Sequence, residues 1–145
     1  MIIKSTPIKI EGVAATISQN IVPVEEYCEG LASPKKLRRI IKETGFESLS
    51  ISDNETCTSD MCFQAAENLF NNGGFNKDDI KSLIFISQTP DYSLPATAYI
   101  LQDKLKLNKN LVAFDISIGC QGFVYGLYVA AGMLTSISGG GATIS

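Results

Sequence analysis

Hydrophobic positions along the chain form two kinds of run, and together they predict alternating strands and helices. SLIFIS at 82–87 and LVAFDIS at 111–117 are continuous apolar stretches. Such runs predict strands buried on both faces, as in a parallel sheet. Around them the spacing becomes helical. Cys62, Phe63, Ala66, Leu69 and Phe70 recur on one face, with Thr58 or Ser59 as the expected cap and Asn72-Gly73-Gly74 as the stop. Lys77-Asp78-Asp79 predicts a polar turn, Pro90 and Pro95 bracket a loop, and residues 96–105 predict another helix. From Gly119 to about Ser136 the chain predicts one long apolar helix.

Upstream the pattern is weaker. Residues 2–17 alternate around Ile8, Ile10 and Val13, predicting a first strand with Pro7 near its start. Pro23 opens a helical stretch carrying Tyr27 and Leu31 and, after Pro34, Leu37, Ile40 and Ile41, with Gly45 ending it. Ser48 to Ser52 fits either a short strand or a loop. The repeated order of strand and helix indicates an α/β fold.

The last segment bears on whether the chain meets a membrane. No charged residue occurs from Ile116 to Ser145, and the apolar stretch 116–137 is long enough to cross a bilayer. Gly122 and Gly126 have the spacing of a membrane helix-pairing motif. Gln121, the several hydroxyls and the lack of Lys or Arg at the C-terminal end oppose that reading. Gly122, Gly126 and Ala130 instead give a core helix one face without bulky side chains, where another element can approach closely.

Composition narrows the partners. A 145-residue chain that is 45% hydrophobic and 19% charged fits a globular domain able to bury a core without disulfides. A net charge of −3 argues against nucleic acid. The basic group Lys35, Lys36, Arg38, Arg39 and Lys42 reads as a solvated helix face, with a small anionic group as the alternative. The four cysteines at 28, 57, 62 and 120 lack zinc-site spacing, so no metal is expected. The N-terminus does not read as a signal peptide, which predicts reduced thiols in the cytoplasm.

Cys120 is the candidate with chemistry. A strand–Gly–Cys–helix junction places sulfur where unpaired N–H groups and the helix dipole favour an anion. Such a site lowers a thiol pKa and raises its thiolate content. The same N–H groups could hold the oxyanion formed in acyl transfer. The alternative is a buried, inert cysteine.

AFDISIGCQGFVYGL (113–127) resembles the nucleophile motif of the ketoacyl synthase III group in the thiolase-like superfamily. TGFESLSISDNET (44–56) is similar to that family's Thr-Gly stretch followed by Asn-Glu-Thr, and SLIFISQTPDYSLPATA (82–98) to its strand and Pro-flanked loop. The motifs agree in order and spacing from about residue 8 to 137. The resemblance implies an α/β, thiolase-like layered fold, with residues 1–145 as a partial N-terminal domain. It implies that Cys120 accepts an acyl group from a thioester, carried by coenzyme A or an acyl carrier protein. Condensation with malonyl-acyl carrier protein, with loss of carbon dioxide, would follow. A thiolate suits this role because it is both nucleophile and leaving group. No cofactor is implied. A homodimer is, with Leu94 crossing the interface to limit the partner subunit's acyl pocket; a plain loop hydrophobe is the alternative for Leu94.

Departures refine these expectations. The chain has no Trp, and Glu43 stands where the family places an Arg that helps hold coenzyme A, which favours an acyl-carrier or other thioester donor. SQTPDYSLP lacks the general-acid Glu of the hydroxymethylglutaryl-CoA synthase branch. The His and Asn that complete the family's site belong to its second half, so the chain reads as a fragment or truncated product. The tail GGGATIS has no assigned counterpart. A competing class is a non-catalytic module that dimerises through the 82–98 loop and its sheet edge, motivated by the absence of His.

Overall fold

The computed structural model describes residues 8–136 and the backbone of residues 141–144. Two compact units are present, one spanning Ile17–Thr56 and the other joining the segment up to Thr16 with Cys57 onward.

In the smaller unit, strand β1 (Ile21–Pro23) pairs antiparallel with β2 (Ser48–Ser50), Val22 opposite Leu49. Helix α1 (Val24–Tyr27) is a single turn that buries Val24. Helix α2 (Pro34–Thr44) begins as a Pro at the first helical position should, with the Ser33 hydroxyl accepting from the Lys36 N–H at 3.4 Å. It stops at Gly45, whose φ of 75° is the left-handed region that glycine enters without a Cβ penalty. Leu37 is its buried residue, while Lys35, Lys36, Arg38, Arg39 and Lys42 are exposed. That is the solvated face expected from the sequence. The helical stretch opened by Pro23 is thus broken in two, because a Gly-containing turn and Pro34 intervene.

The larger unit carries the parallel sheet. Helix α3 (Thr58–Gly73) leads through a 3-10 turn (Lys77–Asp79) into β3 (Ile80–Ile86). Helix α4 (Thr97–Lys104), β4 (Val112–Ile116) and helix α5 (Gly122–Ser136) follow. Strand β5 (Gly141–Ile144) completes the set. The strand order is β4-β3-β5 and both pairings are parallel. Central β3 is covered on both faces, and Ser82, Leu83, Ile84 and Phe85 are each fully buried. The continuous apolar run reports this two-sided burial.

Alternation sorts the two faces. Leu83 and Phe85 join Ala66 and Phe70 of α3, Ala98 and Leu101 of α4, and Ala113 of β4 in one core. Ile86 points the other way, onto α5. There Gly122, Gly126 and Ala130 form the buried stripe anticipated from their spacing. Its opposite face carries Phe123, Val124, Tyr125 and Tyr128 to the surface.

Other expectations change. Residues 8–17 form no strand, and Ile8, Ile10 and Val13 are exposed, because an alternation this weak has no sheet to pair with. Residues 1–7 lie outside the described residues. The cap of α3 is Cys57, one residue before the candidates; its N–H donates to Asp60 Oδ2 at 3.1 Å. Helix α5 starts at Gly122, not Gly119. The tail, unassigned from sequence, supplies β5. β3 lies between β4 and β5, so the sheet edge imagined for an interaction module is not on that strand.

Candidate active site

Strands β3 and β4 run parallel and in register, Ile86 opposite Ile116, so both chains leave the sheet at the same edge. The Ser87 N–H donates to the Ile116 carbonyl at 3.3 Å and fixes where the two exits begin. Beyond β4 the chain makes a tight turn in which the Gly122 N–H donates to the Gly119 carbonyl at 2.6 Å. Cys120 sits in this turn, two residues ahead of α5, and is an exposed free thiol. The structure therefore places it at the strand-to-helix junction, though before the helix and not in its first turn. It is not the buried cysteine of the alternative reading.

The turn and the β3 exit together form a cleft of about 410 Å³. Ile86, Ser87 and Gln88 line one side; Ile118, Gly119, Cys120, Gly122 and Phe123 line the other. The thiol is thus a lining group of a mostly apolar depression at the C-terminal edge of a parallel sheet, where open α/β sheets bind ligands. A thiolate there could attack a carbonyl carbon and be displaced again.

Leu94 is not brought into this cleft. It stands at the tip of the Pro-flanked loop and is 88% exposed. Three anchors hold the loop's ends. The Ser59 N–H donates to Asp91 Oδ1 at 3.1 Å, and the Thr58 hydroxyl to the Thr89 carbonyl at 3.4 Å. Asp115 makes the third anchor. It lies two residues after Ala113 and so faces α4, where its carboxylate accepts the Thr97 and Ala98 N–H groups at 2.7 and 2.8 Å. A carboxylate at a helix N-terminus satisfies orphan donors and complements the dipole. Neither Asp115 nor Gln88 is among the candidates that the sequence suggests. An acidic residue inside an apolar strand was the available signal for Asp115; Gln88 carried none.

Several other charged groups pair with one another or cap turns. Lys104 Nζ bonds Asp60 Oδ1 at 2.7 Å, joining α3 to α4. That bond, then the Cys57 N–H, holds the Asp60 carboxyl below the usual carboxylate range. The same bond raises Lys104. Burial, with the nearby Asp91 charge, pushes the Cys62 thiol up and keeps it protonated. In the smaller unit Asp53 accepts from the Thr56 hydroxyl and from the Thr56 and Glu55 N–H groups, which lowers its pKa. Glu43 pairs with Arg39 at 2.7 Å. Among the described residues there is no metal-ligating cluster, and no helix is long and apolar enough to cross a membrane.

Known proteins share this arrangement of elements. The chain is 35% identical over 134 residues to the β-ketoacyl-[acyl-carrier-protein] synthase III of Acholeplasma laidlawii, a match covering 92% of this chain and 42% of that protein. It is 32% identical over 128 residues to the enzyme of the same name from Ehrlichia ruminantium, covering 88% and 39%. The solved 3-oxoacyl-(acyl-carrier protein) synthase of Burkholderia xenovorans superposes with a TM-score of 0.76 at 31% identity, covering 86% of this chain and 36% of that one. No family model matches the chain. The chain spans about two fifths of the length of the curated relatives it matches.

Proposed function

The chain belongs to the β-ketoacyl-acyl carrier protein synthase III-like group of the thiolase-like superfamily, and from that premise we propose that Cys120 is its acyl-accepting nucleophile. The observation that carries this reading is the exposed thiol in the cleft at the C-terminal edge of the sheet. The Cys120 thiolate attacks the carbonyl carbon of an acyl thioester, forming a carbon–sulfur bond and a tetrahedral oxyanion. The oxyanion collapses, the bond to the donor sulfur breaks, and the departing thiolate takes up a proton. The acyl group now rests on Cys120.

In the whole protein that acyl group is condensed with malonyl-acyl carrier protein. Loss of carbon dioxide leaves a carbanion that attacks the Cys120 thioester, forming the new carbon–carbon bond and releasing the thiolate. The relatives' names support this class of reaction. Leu94, held outward on its anchored loop, meets a second copy in a homodimer and limits the acyl pocket there. A cytoplasmic location suits a protein whose Cys120 acts as a thiol. Incubation with a short acyl thioester, followed by intact mass, tests the first step. One acyl mass is expected on the chain and none on Cys120→Ser; an unmodified wild-type chain would sink the proposal.

A second reading, a non-catalytic interaction module, draws on the apolar surface left by Leu94, Phe123 and Val124. Sedimentation decides its premise, since a monomer at all concentrations has no use for that surface.

A further inference from the structure

We infer that Gln88 binds the acyl thioester at Cys120, donating a carboxamide N–H to the carbonyl oxygen under attack; the inference rests on the nucleophile reading of Cys120. Parallel, in-register pairing of β3 and β4 delivers residue 88 and residue 119 to the same place at the sheet edge. The Gln88 side chain then lies along the backbone of the turn that carries the thiol. A Cβ on Gly119 would stand 2.5 Å from Gln88 Nε2 and 3.0 Å from its Cδ. Gly119 has no left-handed φ to demand glycine there. The Gln88 carboxamide, the outer end of an exposed side chain, occupies the space that a side chain at 119 would take.

The flanking hydroxyls are committed elsewhere. Ser87 Oγ accepts the Thr89 N–H at 3.0 Å and lies 3.5 Å from Thr89 Oγ1. Gln88 is exposed, lines the cleft beside Cys120, and carries two amide protons. The remaining lining groups are mainly apolar. A thioester lying over Cys120 for attack places its carbonyl oxygen among these side chains. An N–H donor placed at that oxygen gains strength as negative charge develops on it. Gly119 and Gln88 thus act together: the missing side chain at one makes room for the donor at the other.

The test compares two reactions of the same sulfur. Acetyl transfer from the N-acetylcysteamine thioester builds an oxyanion, whereas alkylation by iodoacetamide displaces iodide and builds none. Both are read at the Cys120 peptide by mass. Gln88→Ala is expected to slow acetylation about tenfold or more while alkylation stays within about twofold. Gln88→Glu, with no N–H to donate when ionised, slows acetylation at least as much. Gly119→Ala, which displaces the carboxamide, gives the same selective loss. Parallel loss of both reactions, or no loss in acetylation, overturns the assignment to Gln88 and leaves Cys120 as nucleophile. A wild-type chain that is alkylated but never acetylated overturns the nucleophile reading, and the role of Gln88 with it.

Discussion

Replacing Asp115 removes an acceptor that two backbone N–H groups share. The Thr97 and Ala98 amides bond its two oxygens at 2.7 and 2.8 Å, and both residues are fully buried. A hydrogen bond to a charged acceptor contributes about 1.5–3 kcal/mol, and an orphaned buried donor costs about 1–3 kcal/mol. Partial access of water to the gap offsets some of this, so Asp115→Ala should cost about 2–4 kcal/mol. Asp115→Asn keeps one acceptor and should fall between that variant and the wild type. Urea unfolding followed by circular dichroism reads the change. With an m-value of about 1–3 kcal/mol per molar urea, the midpoint of the Ala variant should fall by roughly 1–2 M. Hydrogen exchange should quicken first at residues 97–98. A loss below about 0.5 kcal/mol, the size of an ordinary surface substitution, would refute the clamp.

Three further outcomes follow from other contacts. A Cβ on Gly122 would lie 2.6 Å from Ile86 Cγ2 and 3.0 Å from Ile118 Cγ2, whereas one on Gly132 meets nothing within 4 Å. Gly122→Ala should therefore destabilise by about 1–3 kcal/mol, while Gly132→Ala stabilises by up to about 1 kcal/mol through helix propensity, both read by thermal melting. The Asp60–Lys104 pair, about two-fifths exposed on each side, should contribute under about 1 kcal/mol. Because Asp60 is lowered, that contribution is present above the unfolded carboxylate pKa and lost as pH falls through the folded one. Because Lys104 is raised, it persists below the unfolded lysine pKa and is lost as pH rises through the folded one. Comparing the wild type with Lys104→Met across pH checks both signs. Cys62, kept protonated by burial, should be alkylated more slowly at pH 8 than exposed Cys57, as peptide-level labelling would show.

Where burial is complete, sequence and structure agree. SLIFIS is apolar at nearly every position because β3 is covered by helices on both faces. The Gly122–Gly126–Ala130 stripe was legible for the same reason, since close approach to a sheet leaves no room for large side chains. Legibility fails where long-range pairing decides. Ile8, Ile10 and Val13 alternate without a strand to pair with, and GATI becomes a strand only because β3 offers an open side. The start of α5 was misplaced because Gly119 to Gly122 carries no capping side chain, and a backbone bond within the turn sets the boundary. Cys120 stood out as a candidate nucleophile from its motif. Gln88 did not, because its meeting with Gly119 depends on the register of two strands far apart in sequence.

Cys120 and Cys57 are both exposed, so competition between them tests the central claim most directly. The chain would be treated with limiting acyl thioester and the acyl group located by peptide mass. Acylation is predicted at Cys120 well ahead of Cys57, with the adduct released by hydroxylamine as a thioester should be. Equal labelling of the two, or none at Cys120, would contradict the account.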